Sequence, residues 1–151
     1  MSARNFLPRK LQAALAEVRQ VYVDLAQRPI ERNCVRRTKC CHFKLTGRTP
    51  YLTKGEAIVA AKAFRATGRK SLPENADGSC PMLQPETDNC LIYQDRPFGC
   101  RTHFCAAAGG PIARRDVVDL IRRLEDVDLA LNGNGPRPLQ SAVADVLEEI
   151  R

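Results

Sequence analysis

Seven cysteines in a chain of 151 residues all fall in two stretches that carry no sustained helix or strand period. Cys34, Cys40 and Cys41 lie in "ERNCVRRTKCCHFKLTGRTP", residues 31–50, and Cys80, Cys90, Cys100 and Cys105 lie in and after a run rich in Pro, Asp, Asn and Gly. Thiols that merely fill a core are expected at periodic helix positions beside Leu and Val. Fixing an irregular loop costs on the order of 1 to 2 kcal/mol per residue in conformational entropy, and these loops hold little apolar material to offset it. A metal held by thiolates can supply the difference, since structural zinc contributes roughly 10 kcal/mol or more in small domains. A disulfide framework fits less well, because the count is odd and no leader is expected: charges at Arg4, Arg9, Lys10, Glu17 and Arg19 interrupt the first twenty residues. The expectation is a cytoplasmic, reducing setting in which clustered cysteines serve as metal ligands or redox groups. No segment reaches the length of a membrane span, so no membrane contact is expected.

The rest of the chain reads as helix. Leu7, Leu11, Leu15, Val18, Tyr22 and Leu25 recur every three or four residues and predict an amphipathic helix over 8–27, stopped by Arg28-Pro29. Thr53 and Glu56 form a capping box before "AIVAAKAF", and Gly68 is a stop signal, so a second helix is expected over 54–67. Pro73 to Asn89 excludes a regular helix or a central strand. Val117, Leu120, Ile121, Leu124, Val127 and Leu131 write a third helix that "NGNGPRP" ends, and Leu139, Val143, Val146, Leu147 and Ile150 write a C-terminal one. With aromatics at 5% and no Trp, the core must be built from Leu, Ile, Val and Ala. The expected fold is mainly α: one small helical domain over 1–151, with an N-terminal helix, a motif region over 34–105 and C-terminal helices over 114–151. Its long cysteine-rich loops are organised around a metal site.

Within the motif region, "CLIYQDRPFGCR" sets Cys90 and Cys100 on either side of a turn through Gln94, Asp95 and Arg96. The turn can fold both thiols toward one centre, with Pro97 limiting the chain's freedom. Ile92 and Tyr93 are expected to pack, and Arg96 and Arg101 to hydrogen-bond loop carbonyls or to offset thiolate charge. Adjacent Cys40 and Cys41 point to opposite sides of an extended backbone, so one binds while the other packs, or each serves a separate site. Zinc-finger spacing, two C-x2-C pairs, is absent. His42 follows the cysteine pair and His103 stands between Cys100 and Cys105; either is a further candidate ligand or a hydrogen-bond partner. Arg32, Arg36, Arg37 and Lys39 can stabilise thiolates.

At these residues the sequence resembles the YkgJ-type cysteine-cluster family of zinc- or iron-chelating domains. The family pattern is C-x2-C-x2-C-C, a later Cys often followed by Pro, then C-x-I-Y-x-x-R-P-x-x-C-R. Cys34, Cys40 and Cys41 take the first, third and fourth places of the opening motif, with Arg37 in the second; Cys80 takes the middle place. Cys90, Ile92, Tyr93, Arg96, Pro97, Cys100 and Arg101 match the closing motif in register. The resemblance implies metal ligation by Cys41, Cys80, Cys90 and Cys100 first, by Cys34 and Cys40 next, and by Cys105 or a histidine as a replacement for the thiol lost to Arg37.

Three functions compete on this reading. The first is a small metal-binding protein that holds a [4Fe-4S] cluster or zinc, with the cluster favoured because all-thiolate ligation lacks finger spacing; a protein partner is possible. The second is a cluster-dependent enzyme of transfer or redox chemistry. No nucleotide loop, Gly-rich cofactor fingerprint or separated acid–base pair supports it, and no catalytic residue is assigned. The third is a zinc-stapled adaptor for nucleic acid or acidic protein, suggested by charge: residues 1–70 hold 16 Lys and Arg against 4 Asp and Glu, and residues 71–151 hold 8 against 13. Few aromatics stand among those charges as stacking platforms, so nucleic acid is not favoured.

Overall fold

The computed structural model describes residues 6–29, 49–75, 78–84, 86–87, 89–102 and 112–150. In chain order it contains α1 (Phe6–Ala26), β1 (Tyr51–Leu52), α2 (Lys54–Ala66), β2 (Leu83–Gln84), β3 (Asn89–Cys90), a 3-10 turn (Tyr93–Asp95), α3 (Phe98–Thr102), a second 3-10 turn (Arg114–Asp116), α4 (Val118–Ala130), β4 (Arg137–Pro138) and α5 (Leu139–Glu149). The architecture is mainly α: α1 and α2 fall within two residues of the expected 8–27 and 54–67, and α4 and α5 form over the two apolar runs expected to write C-terminal helices. None of the described helices is long and apolar enough to cross a membrane.

The four long helices share one apolar core. Val18 and Val21 of α1, Val59 and Phe64 of α2, Leu120 and Leu124 of α4, and Val143 and Val146 of α5 are all buried in it. Helix α2 is the central element, in contact with α1, α4 and α5. Its sequence explains the position: from Gly55 to Ala61 every residue is buried, which only a helix covered on all sides can sustain. Gly55 sets the distance of approach, because a Cβ there would lie 2.7 Å from Val127 Cγ1 and 2.8 Å from Val18 Cγ2.

Polar contacts join the surfaces of the same helices. Arg123 on α4 pairs with Glu17 and with Asp24 of α1. Arg28 donates to the Asp116 carbonyl at 2.7 Å and pairs with Asp119. Helix α4 ends in a Schellman closure: Asn132 takes φ 58°, Gly133 N–H donates to the Asp128 carbonyl at 2.7 Å and Asn132 N–H to the Leu129 carbonyl at 3.1 Å.

Two short antiparallel ladders complete the described fold. In one, β1 pairs with β4, Tyr51 opposite Pro138 and Leu52 opposite Arg137. In the other, β2 pairs with β3, Leu83 opposite Cys90 and Gln84 opposite Asn89. The second ladder agrees with the exclusion of helix and central strand over 73–89, and it puts Cys90 in a strand where the sequence suggested only loop. The expected ordered loop over 31–50 lies almost wholly outside the described residues.

Candidate metal centre

The motif "CLIYQDRPFGCR" folds into a compact segment that runs from β3 through a 3-10 turn into α3. Asp95 N–H donates to the Ile92 carbonyl at 2.8 Å, and Cys100 and Arg101 N–H donate to the Pro97 carbonyl at 3.0 and 3.2 Å. Ile92, Pro97 and Phe98 are buried and Tyr93 is half-buried, which anchors the segment to the helices beneath it. The hairpin before it is pinned from one side chain: Asn75 Nδ2 donates to the Ser79 hydroxyl at 3.1 Å and to the Cys80 carbonyl at 2.8 Å. A turn closes with Leu83 N–H on the Cys80 carbonyl at 2.9 Å.

Both motif arginines bond loop carbonyls, as expected. Arg96 donates from Nε to the Tyr93 carbonyl at 3.0 Å and lies over the Tyr93 ring, 3.9 Å from its centroid. Arg101 donates from Nε to the Arg96 carbonyl and from Nη2 to the Gln94 carbonyl, each at 2.7 Å. It clamps the turn from inside, and its guanidinium rests 4.1 Å from the centroid of the Tyr22 ring on α1. Burial pulls Arg101 below the ordinary arginine value, partly offset by Tyr22, Asp95 and the Cys100 sulfur. A positive charge therefore stands next to the Cys100 thiol.

Beneath the segment lies Glu56, which the sequence marks only as half of a capping box. The box is there: Glu56 Oε2 accepts from Thr53 N–H at 3.0 Å and from the Thr53 hydroxyl at 2.9 Å. The other oxygen reaches beyond it, accepting from Phe98 N–H at 2.7 Å and from the Tyr22 hydroxyl at 3.2 Å. Glu56 is 2% exposed. Burial pushes its pKa up, and the bonds from Phe98, Thr53 and Tyr22 pull it only part of the way back. Tyr22 is raised in turn, by burial first and by the Glu56 charge second. A sequence signal for this burial exists: Glu56 directly precedes the apolar run Ala57–Ala61, all of it buried.

Asp128 is the second buried carboxylate the sequence does not reveal. It accepts from Lys54 N–H at 2.7 Å and from Gly135 N–H at 2.9 Å. It lines a cleft of about 260 Å³ with Lys54, Asn132, Asn134 and Arg137.

Of the seven candidate ligands, the structure describes Cys80, Cys90 and Cys100, and none of these is in a disulfide. Cys80 is buried in the apolar core, while Cys90 and Cys100 are half-exposed. Cys34, Cys40, Cys41, Cys105, His42 and His103 lie outside the described residues. Among the described residues, no three His, Cys, Asp or Glu side chains are grouped so as to hold a metal ion. The thiols are soft donors that suit zinc or an iron–sulfur cluster, and the arginine beside Cys100 suits an anionic thiolate centre.

No curated protein and no solved structure matches the chain. The model of one protein family does, over residues 32–120, a span that holds all seven cysteines and both histidines. The chain belongs to this family, CxxCxxCC, described as "Putative zinc- or iron-chelating domain".

Proposed function

We propose that the protein is a metal-binding protein whose cysteine thiolates hold zinc or an iron–sulfur cluster. The observation that carries this reading is the family match over 32–120. The closing motif supports it, being folded as one clamped unit with Cys90 and Cys100 half-exposed at its two ends. Cys34, Cys40, Cys41 and Cys105 lie outside the described residues, and on this reading the centre draws donors from among them as well. On this reading Cys41, Cys80, Cys90 and Cys100 are the ligands of first choice. Cys34 and Cys40 come next, and Cys105 stands in for the place occupied by Arg37. Such a centre supplies either a structural crosslink or an electron-accepting cluster. Arg101 offsets its negative charge, and Asn75 and Glu56 hold the segments that carry the thiols. A [4Fe-4S] cluster is favoured over zinc, because finger spacing is absent.

The test is metal and acid-labile sulfide content, with a visible spectrum, on protein purified without oxygen. Iron with near-equal sulfide and a broad band near about 400 nm identifies the cluster, and zinc without sulfide identifies a structural crosslink. Cys90→Ser and Cys100→Ser should each lose most of the metal. Wild-type protein that binds neither metal, or serine variants with unchanged metal content, would sink the reading.

A further inference from the structure

We infer that Glu56 is a positioning residue for the metal centre: its carboxylate fixes α3, and with it the Cys100 thiol, before any metal arrives. The inference rests on the reading of the motif as a metal centre.

Capping alone does not account for where Glu56 sits. A capping box uses the side chain on its own helix end, and Oε2 fulfils that role through Thr53. A carboxylate with that task alone gains nothing from leaving water, since burial of a charge is costly. Here the second oxygen is committed to two other elements, Phe98 N–H of α3 at 2.7 Å and the Tyr22 hydroxyl of α1 at 3.2 Å. Phe98 lies two residues before Cys100 in the same helical turn, and Cys100 N–H is bonded to the Pro97 carbonyl at 3.0 Å. The orientation of the thiol is thus referred to the central helix through one short, directional bond.

Tyr22 holds the far side of the same arrangement. Its hydroxyl donates to Glu56 and its ring carries the Arg101 guanidinium, the group that clamps the turn between the two cysteines. One tyrosine and one glutamate therefore hold α3 at two places, Phe98 and Arg101. An apolar side chain at position 56 could fill the space, but it could not set the direction of α3, which a fully satisfied polar network does. Removing partners that orient metal ligands typically costs about 10- to 100-fold in metal affinity.

Glu56→Gln, Tyr22→Phe and Asp128→Asn proteins would be compared with wild type in two measurements. These are zinc affinity, by anaerobic competition with a chromophoric chelator well below each melting temperature, and amide hydrogen exchange at Phe98. Glu56→Gln is expected to weaken zinc binding by about tenfold or more and to speed exchange at Phe98. Tyr22→Phe should shift both in the same direction by less. Asp128→Asn, which loosens the other side of the same helix end, should lower the melting temperature with zinc affinity and Phe98 exchange unchanged. Wild-type affinity in Glu56→Gln, with faster Phe98 exchange, would overturn the positioning role and leave the metal reading intact. An equal loss of affinity in Glu56→Gln and Asp128→Asn would also overturn it, as general loosening. Wild-type protein that takes up neither zinc nor iron would overturn both. If Glu56→Gln does not fold, Tyr22→Phe carries the decision, and wild-type affinity in that variant counts against the role.

Discussion

Glu56 and Asp128 are both buried carboxylates that receive hydrogen bonds at the N-terminal end of α2, yet they are built differently. Asp128 takes backbone N–H groups from Lys54 and Gly135 and faces a cleft open to solvent. It gathers the loop after α4 around itself, and the loop's shape supplies the fit: Gly133 approaches so closely that a Cβ there would lie 2.3 Å from Asp128 Oδ1. Glu56 is enclosed, and half of its partners are hydroxyls, one of them on α1. The first carboxylate closes a connection between neighbouring helices. The second spans three elements distant in sequence and holds the segment that carries Cys100. A buried charge next to water can keep part of its hydration, whereas an enclosed one depends wholly on its partners.

The contrast can be broken by removing each node. Glu56→Ala leaves Phe98 N–H and the Tyr22 hydroxyl without their acceptor in the interior, and an unsatisfied buried group costs about 1 to 3 kcal/mol. We expect a loss of about 3 kcal/mol by urea unfolding, with less metal retained. Asp128→Ala should cost about 2 kcal/mol and leave metal content unchanged; equal metal loss in the two variants would erase the distinction. Gly133→Ala should cost about 1 to 3 kcal/mol by overpacking against the carboxylate. Combined with Asp128→Ala it should cost clearly less than the sum, since the cavity left by the carboxylate accepts the new methyl group. Strict additivity would show that the two residues do not meet.

The smallest expected effect is the pH dependence of the Glu56 contribution. Glu56 has a folded-state pKa above its ordinary 4.5. Its contribution is complete below that value, falls as pH rises toward the raised pKa, and is level above it. The cost of Glu56→Gln should therefore be larger near about pH 4 than near about pH 7, in melting curves of the proteins as purified, by less than either alanine variant costs. Arg123 and Arg28 hold Asp24 and Asp119 below the usual carboxylate value. They act in the opposite sense, favouring the fold above that value and losing their effect as pH falls. Because wild type and Glu56→Gln share both pairs, a pH-independent cost of Glu56→Gln would argue against the burial of Glu56 and not against these pairs.

The four long helices were legible because their signals are local: apolar spacing in α1, α4 and α5, and a capping box in front of α2. The closing motif was legible down to the carbonyl bonds of Arg96 and Arg101, since a turn with a proline admits few shapes. What was not legible depends on residues far apart in the chain. Two-residue ladders such as Leu83 with Cys90 and Leu52 with Arg137 have no period to read. The roles of Glu56 and Asp128 appear only when Tyr22, Phe98 and Gly135 arrive beside them. Cys80 looked equivalent to Cys90 and Cys100 as a candidate ligand, and its place in the apolar core follows from the hairpin that no local pattern announces.

The pairing of β1 with β4 ties residues 51–52 to residues 137–138, and the Leu139 N–H donates to the Pro50 carbonyl at 2.9 Å across the same junction. On a ribosome making about 5 to 20 residues per second, all seven cysteines are synthesised before α5 exists to cover one face of α2. A thiolate centre assembled during synthesis would meet its ligands ahead of the completed helical shelf, whereas one assembled afterwards would find them already oriented. The order of events is written into which end of the chain carries the final packing partner.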